Sequence, residues 1–127
     1  MKRFFYLPAA LLLALLAAVL INAAVSQAYV ARWCDTLEEA QSAAQAEDRD
    51  GARDRLAAVK ARWDEAADYF HIILQHDALN KTESLLLRAE SYALARDIAE
   101  LLACIAELAS QLRLLAEMQQ LTLPNIL

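Results

Sequence analysis

The chain has 127 residues with 12 basic and 17 acidic side chains, a net charge of −5, and a 59% hydrophobic composition. An acidic balance of this kind argues against binding nucleic acid or docking electrostatically on anionic lipid. One glycine and two prolines in the whole chain leave almost no turn chemistry. Long helices joined by few turns are therefore expected.

The first element is a membrane-targeting segment. Lys2 and Arg3 are followed by 28 residues, Phe4 to Ala31, without a charge. The densest apolar run, Phe4–Ile21, would span roughly 27 Å as a helix, close to the thickness of a bilayer's hydrocarbon core. Phe4, Phe5 and Tyr6 suit one interface, and Asn22 is the first strongly polar residue of the run. The basic pair predicts a cytoplasmic N-terminus, with the rest exported as a single-pass protein of the cell membrane. A cleaved signal peptide is the rival reading, with Ser26-Gln27-Ala28 placing small residues before a cut at Tyr29. The apolar run exceeds an ordinary signal core, and helix-compatible residues continue into Trp33, which favours an uncleaved anchor. This divides the chain into an anchor over residues 1–22 and an extracytoplasmic domain over residues 23–127.

Outside Lys2 and Arg3 the charges are unevenly spread. Arg49 to Arg62 holds five basic and two acidic residues, whereas Trp63 to Leu127 holds four and ten. Solvated helix faces explain such runs; a basic tip touching an anionic partner is the sharper alternative.

Three apolar stripes follow in chain order. Val30, Trp33, Leu37, Ala40 and Ala44 recur at alternating threes and fours. Leu56, Val59, Trp63, Ala66, Phe70 and Ile73 do the same, as do Leu94, Ile98, Leu101, Ile105, Leu108, Leu112 and Leu115. Each is the seam of a coiled-coil-like helix. The expected fold is all-α: a transmembrane helix continuing into an antiparallel three-helix bundle. Glu47 to Gly51 forms the first turn, with Asp50 capping the second helix. Asp77 to Asn80 forms the second turn, where Asn80 and Glu83 make a capping box. The third helix then runs unbroken to about Gln120. Pro124 stops it, leaving Leu121–Leu127 as an extended apolar tail folded back on the bundle.

Matching helix lengths sets the geometry. A second helix of residues 51–76 is roughly 39 Å long and descends to the level of Asn22. Trp33 and Trp63 lie equally far from the first turn and should meet in the core. The second turn should face the headgroups and the first should be the distal tip.

Few residues suggest chemistry. His71, His76 and Asp77 are the candidate metal ligands, with Asp68 nearby. A spacing of five does not stack two imidazoles on one helix face, so a metal site is not favoured. Cys34 and Cys104 are an even pair in an exported domain, so a disulfide is considered, but the helix levels place them roughly 15 Å apart, which argues against a bridge. They are expected as buried free thiols. No nucleophile–base arrangement, glycine-rich loop or cofactor motif is present, so neither catalysis nor a cofactor is expected. The leading functional expectation is an envelope module that binds another protein. The alternative is a ligand or metal sensor using the His71/His76 region.

The basic start, the single span, Trp63 on a helix running into His76-Asp77, the Leu-rich third helix and the ending Leu123-Pro124-Asn125-Ile126-Leu127 together resemble the bacterial domain of unknown function 4363 family. The resemblance covers nearly the whole chain. Its most specific parts are the spacing of Trp63 to His76-Asp77 and the Asn125-Ile126-Leu127 ending. The family occurs mainly in Gram-positive, Clostridia-like bacteria and has no established activity. The resemblance therefore implies an architecture and no mechanism.

Overall fold

The computed structural model describes the backbone of residues 2–73 and 76–126 and the side chains of residues 2–72 and 76–118. Four helices follow in order: α1 Lys2–Gln45, α2 Arg49–Ile73, α3 His76–Ala95 and α4 Ile98–Ile126. The expected all-α class and the long N-terminal apolar helix are both found. α1 packs against α2 and α4, and α3 against the same two, so α1 and α3 lie on a diagonal. The short connections make each neighbouring pair antiparallel.

The expected third helix is two helices, making the bundle four-stranded instead of three-stranded. A reversal at Arg96-Asp97 separates α3 from α4 without glycine or proline. Arg96 adopts a left-handed backbone, φ 61°, and the Asp97 amide donates to the Tyr92 carbonyl at 3.3 Å. This is the long-range bond of a Schellman cap. Asp97 then starts α4. Its backbone carbonyl accepts from Leu101 at 2.9 Å, and its side chain accepts from the Glu100 amide at 3.3 Å.

The first reversal uses the same two-residue device. Glu47 is left-handed, φ 61°, and the Asp48 amide donates to Ala43 at 2.8 Å. The Asp48 carboxylate caps α2 through the Gly51 amide at 3.0 Å. The N-cap is thus Asp48 and not Asp50, and Gly51 lies inside the first turn of α2 with an ordinary backbone. Asp50 instead places a negative charge in that first turn, favourable to the helix dipole.

Two further expectations are corrected. α3 begins at His76, so Asp77 to Asn80 are helical and Asn80 is no cap. α4 continues to Ile126, through Pro124, so the extended tail is not found. A proline this near a helix end removes one backbone bond. How the side chains of that segment pack lies outside the described residues.

The core follows the seams. Val30, Trp33, Leu37, Ala40 and Ala44 of α1 are buried, as are Leu56, Val59, Trp63, Ala66 and Phe70 of α2. Ile73 falls outside the described side chains. In α4, Leu101, Ile105, Leu108, Leu112 and Leu115 are buried, and Ile98 is half-buried. Leu94 is the exception, at 56% exposed. It belongs to α3, whose own seam is Leu79, Thr82, Leu86, Ala89 and Ala93, and the reversal takes it off the α4 stripe. An aromatic layer joins α1 to α2. Trp33 and Trp63 centroids are 5.5 Å apart, and Phe70 stacks on Trp63 at 5.6 Å. Such offset and tilted pairs add to the burial of their large surfaces.

Candidate functional site

α1 changes character at one level. From Phe4 to Ile21 its large apolar side chains are exposed, with only Leu16 and Val19 half-buried. From Ala23 and Ser26 onward one stripe is buried in the bundle. The helix does not break there. The Tyr69 hydroxyl donates to the Asn22 carbonyl at 3.5 Å, marking where the lower part of α2 meets α1. By length and composition, α1 contains one segment able to cross a membrane, and none of that segment is buried by the bundle.

The histidines meet at the lower corner of the bundle. His71 lies in the last turn of α2 and His76 starts α3. Their rings are 6.1 Å apart, and His71 Nε2 lies 3.8 Å from Glu83 Oε1. Counting five residues along one helix missed this, because the pair sits on two helices. Both rings are exposed. Among the described residues no group of three His, Cys, Asp or Glu side chains is placed to hold a metal ion. Asp77 lies in the first turn of α3 and is exposed.

Both thiols are buried and free. Burial pushes Cys34 above its ordinary range; Arg113 of α4 opposes this, and Asp35 and Glu38 reinforce it. Burial likewise raises Cys104, with Arg88 opposing and Glu107 reinforcing. Cys104 Sγ donates to the Leu85 carbonyl at 3.5 Å. Because Cys34 lies beside Arg113, it is nine residues along α4 from Cys104, about 14 Å. The thiols are thus far apart even though the α3–α4 reversal changes the count behind that expectation. Protonated and enclosed, neither is an activated nucleophile.

An open groove of about 880 Å³ runs between α1 and α2, with Tyr29, Arg32, Thr36, Arg55, Arg62 and Glu65 among its walls. Two pairs of its polar side chains bond to each other. Arg55 Nε donates to Glu39 at 3.3 Å, and Arg62 donates to the Thr36 hydroxyl at 3.1 Å. Ligand pockets are usually apolar clefts with a few converging polar groups; this groove is a surface of alternating charge. Among the described residues, two buried polar atoms, Ser26 Oγ and Trp63 Nε1, have no hydrogen-bond partner.

The end of the bundle with the two reversals gathers Arg49, Arg53 and Arg96 beside Glu47, Asp48 and Asp50. Sequence reading assigned the basic tip to the stretch Arg49 to Arg62, which does not include Arg96. The signal for Arg96 was Asp97 followed three residues later by Glu100, a capping-box pattern.

A family model described as a domain of unknown function, DUF4363, matches residues 24–126. No curated protein and no solved structure matches the chain.

Proposed function

Because the chain belongs to the DUF4363 family, whose description assigns no activity, we propose a function from geometry: a membrane-anchored, non-catalytic helical module of the bacterial cell envelope that binds another protein. The observation that carries it is α1 itself. One uninterrupted helix is apolar and uncovered in its first half and forms a quarter of a packed bundle in its second half. An apolar helix surface of that extent is expensive in water and stable in hydrocarbon. Lys2 and Arg3 favour a cytoplasmic start, which places the bundle outside the membrane. The enclosed thiols, held protonated by burial, offer no activated nucleophile, which favours a non-catalytic role.

Membrane extraction tests the anchor. Full-length chain expressed in a bacterial host should stay with membranes at alkaline pH, and externally added protease should remove a tag placed after Leu127. Release at alkaline pH would refute the anchor, and protection of the tag in intact protoplasts would refute the orientation. Crosslinking with mass spectrometry in the native host addresses partner binding. A reproducible envelope partner supports it, and contacts confined to the chain itself would count against it.

A further inference from the structure

We infer that the lower end of the bundle is itself a membrane-binding surface, seated in the headgroup layer of the bilayer that α1 spans. The inference rests on the anchor reading and adds a second, separate contact. Its first support is Ile72. At 84% exposed it is, among the described residues, the most uncovered large apolar side chain outside the apolar run of α1. It lies three residues beyond Tyr69 in the direction away from the tip, roughly 4.5 Å farther along α2. The Tyr69 hydroxyl reaches the Asn22 carbonyl, so Ile72 projects at the level where the exposed apolar surface of α1 begins. An isoleucine at this height continues that surface sideways onto a second helix.

The second support is the length of α4. α3 and α4 share the reversal at Arg96-Asp97, yet α3 has 20 residues and α4 has 29. The backbone of α4 therefore runs nine residues, about 14 Å, past the start of α3. After Glu117 the sequence carries no charge. The third support is the half-burial of Leu16 and Val19 amid exposed neighbours. Both residues lie below Asn22 on α1, the helix that packs against α2 and α4. Exposed Asp68 and Asp77 set the depth. Ionised carboxylates are costly in hydrocarbon, so the corner stops among the headgroups.

Depth-dependent quenching of the full chain in phosphatidylcholine vesicles tests this. Single cysteines at Leu13, Ile72 and Arg53 are labelled with an environment-sensitive fluorophore. The buried native thiols react slowly, and wild-type chain labelled in parallel supplies the blank. The Ile72 label should be quenched at least threefold more than the Arg53 label by a nitroxide on the lipid headgroup. The Leu13 label should respond to a nitroxide deep in the acyl chain. Quenching at Leu13 with Ile72 as unquenched as Arg53 would overturn the floor contact and leave the anchor standing. No quenching at Leu13 would overturn both. Ile72→Asp gives a second readout: unchanged helicity in detergent with a lost headgroup response at a neighbouring Asp68→Cys label supports the contact, and an unchanged response refutes it.

Discussion

Trp63 gives the sharpest test of the core. Its ring is buried at 1% exposure, stacks on Phe70 at 5.6 Å and meets Trp33 at 5.5 Å. Truncation to alanine removes a large buried ring, a change that costs about 3–5 kcal/mol in packed cores. It also deletes two aromatic pairs, each worth about 0.5–1.5 kcal/mol beyond burial. The expected loss is about 4–8 kcal/mol on that sum, a large part of the ~5–15 kcal/mol that stabilises an ordinary domain. Trp63→Phe behaves differently. It keeps a ring against Phe70 and removes Nε1, which is buried without a partner. A buried unsatisfied donor costs about 1–3 kcal/mol, which offsets the smaller cavity left by phenylalanine. Trp63→Phe should therefore fall within about 1.5 kcal/mol of wild type on the same argument. Urea unfolding of the detergent-solubilised full chain, followed by circular dichroism at the helix band, measures both. Equal losses for the two variants would show that the indole N–H is bonded and refute the offset. A loss below about 1 kcal/mol for Trp63→Ala would refute the aromatic layer as core.

The α3–α4 reversal makes opposite predictions at adjacent positions. Arg96→Gly should stabilise by about 1 kcal/mol, since glycine occupies the left-handed position without Cβ strain, whereas Asp97→Ala should destabilise by about 1 kcal/mol through the lost cap; urea midpoints decide both signs. Gly51→Ala should bring no gain despite a helix-propensity benefit of about 1 kcal/mol, because the new Cβ would displace the capping Asp48 carboxylate, and a rise in the midpoint would contradict this. The raised thiols predict the alkaline limb of stability. Folded Cys34 and Cys104 hold their protons above the pH at which unfolded thiols ionise, near 8.5, so their contribution is fully present below that pH and falls as pH rises through the folded values. Cys34→Ala with Cys104→Ala should flatten that limb in unfolding measurements across the alkaline range, and an unchanged slope would refute the assignment.

Most of the helical organisation was legible because seams announce themselves. Every described residue of the α1 and α2 stripes is buried, and the meeting of Trp33 with Trp63 followed from counting residues on either side of one turn. The α3–α4 reversal was hidden because the stripe passes through it in step. Leu94 and Ile98 keep a spacing of four across a break that contains no glycine or proline. The left-handed position is held by Arg96, a residue type that carries little turn signal, and only Asp97 with Glu100 marked the new helix. The candidate site was less readable for the same reason. Residues five apart face different sides of one helix, so His71 and His76 looked separated until the corner between α2 and α3 brought their rings together. Exposure at Ile72 could not be read from periodicity at all, because it depends on where α2 ends relative to α1.

The absence of a break at Asn22 has a mechanical consequence. Between Asn22 and Gln45, α1 continues for about 35 Å at 1.5 Å per residue, with its hydrogen-bonded ladder unbroken. Transmembrane helices tilt by about 20° on average, and with no hinge the same angle is carried to the distal arginines. A span tilted by that much would sweep them sideways by roughly 12 Å relative to an upright one. On the anchoring we propose, the bundle would work as a lever arm whose fulcrum is the bilayer. Bilayer thickness, or a neighbour leaning on the span, would then set where Arg49, Arg53 and Arg96 can reach.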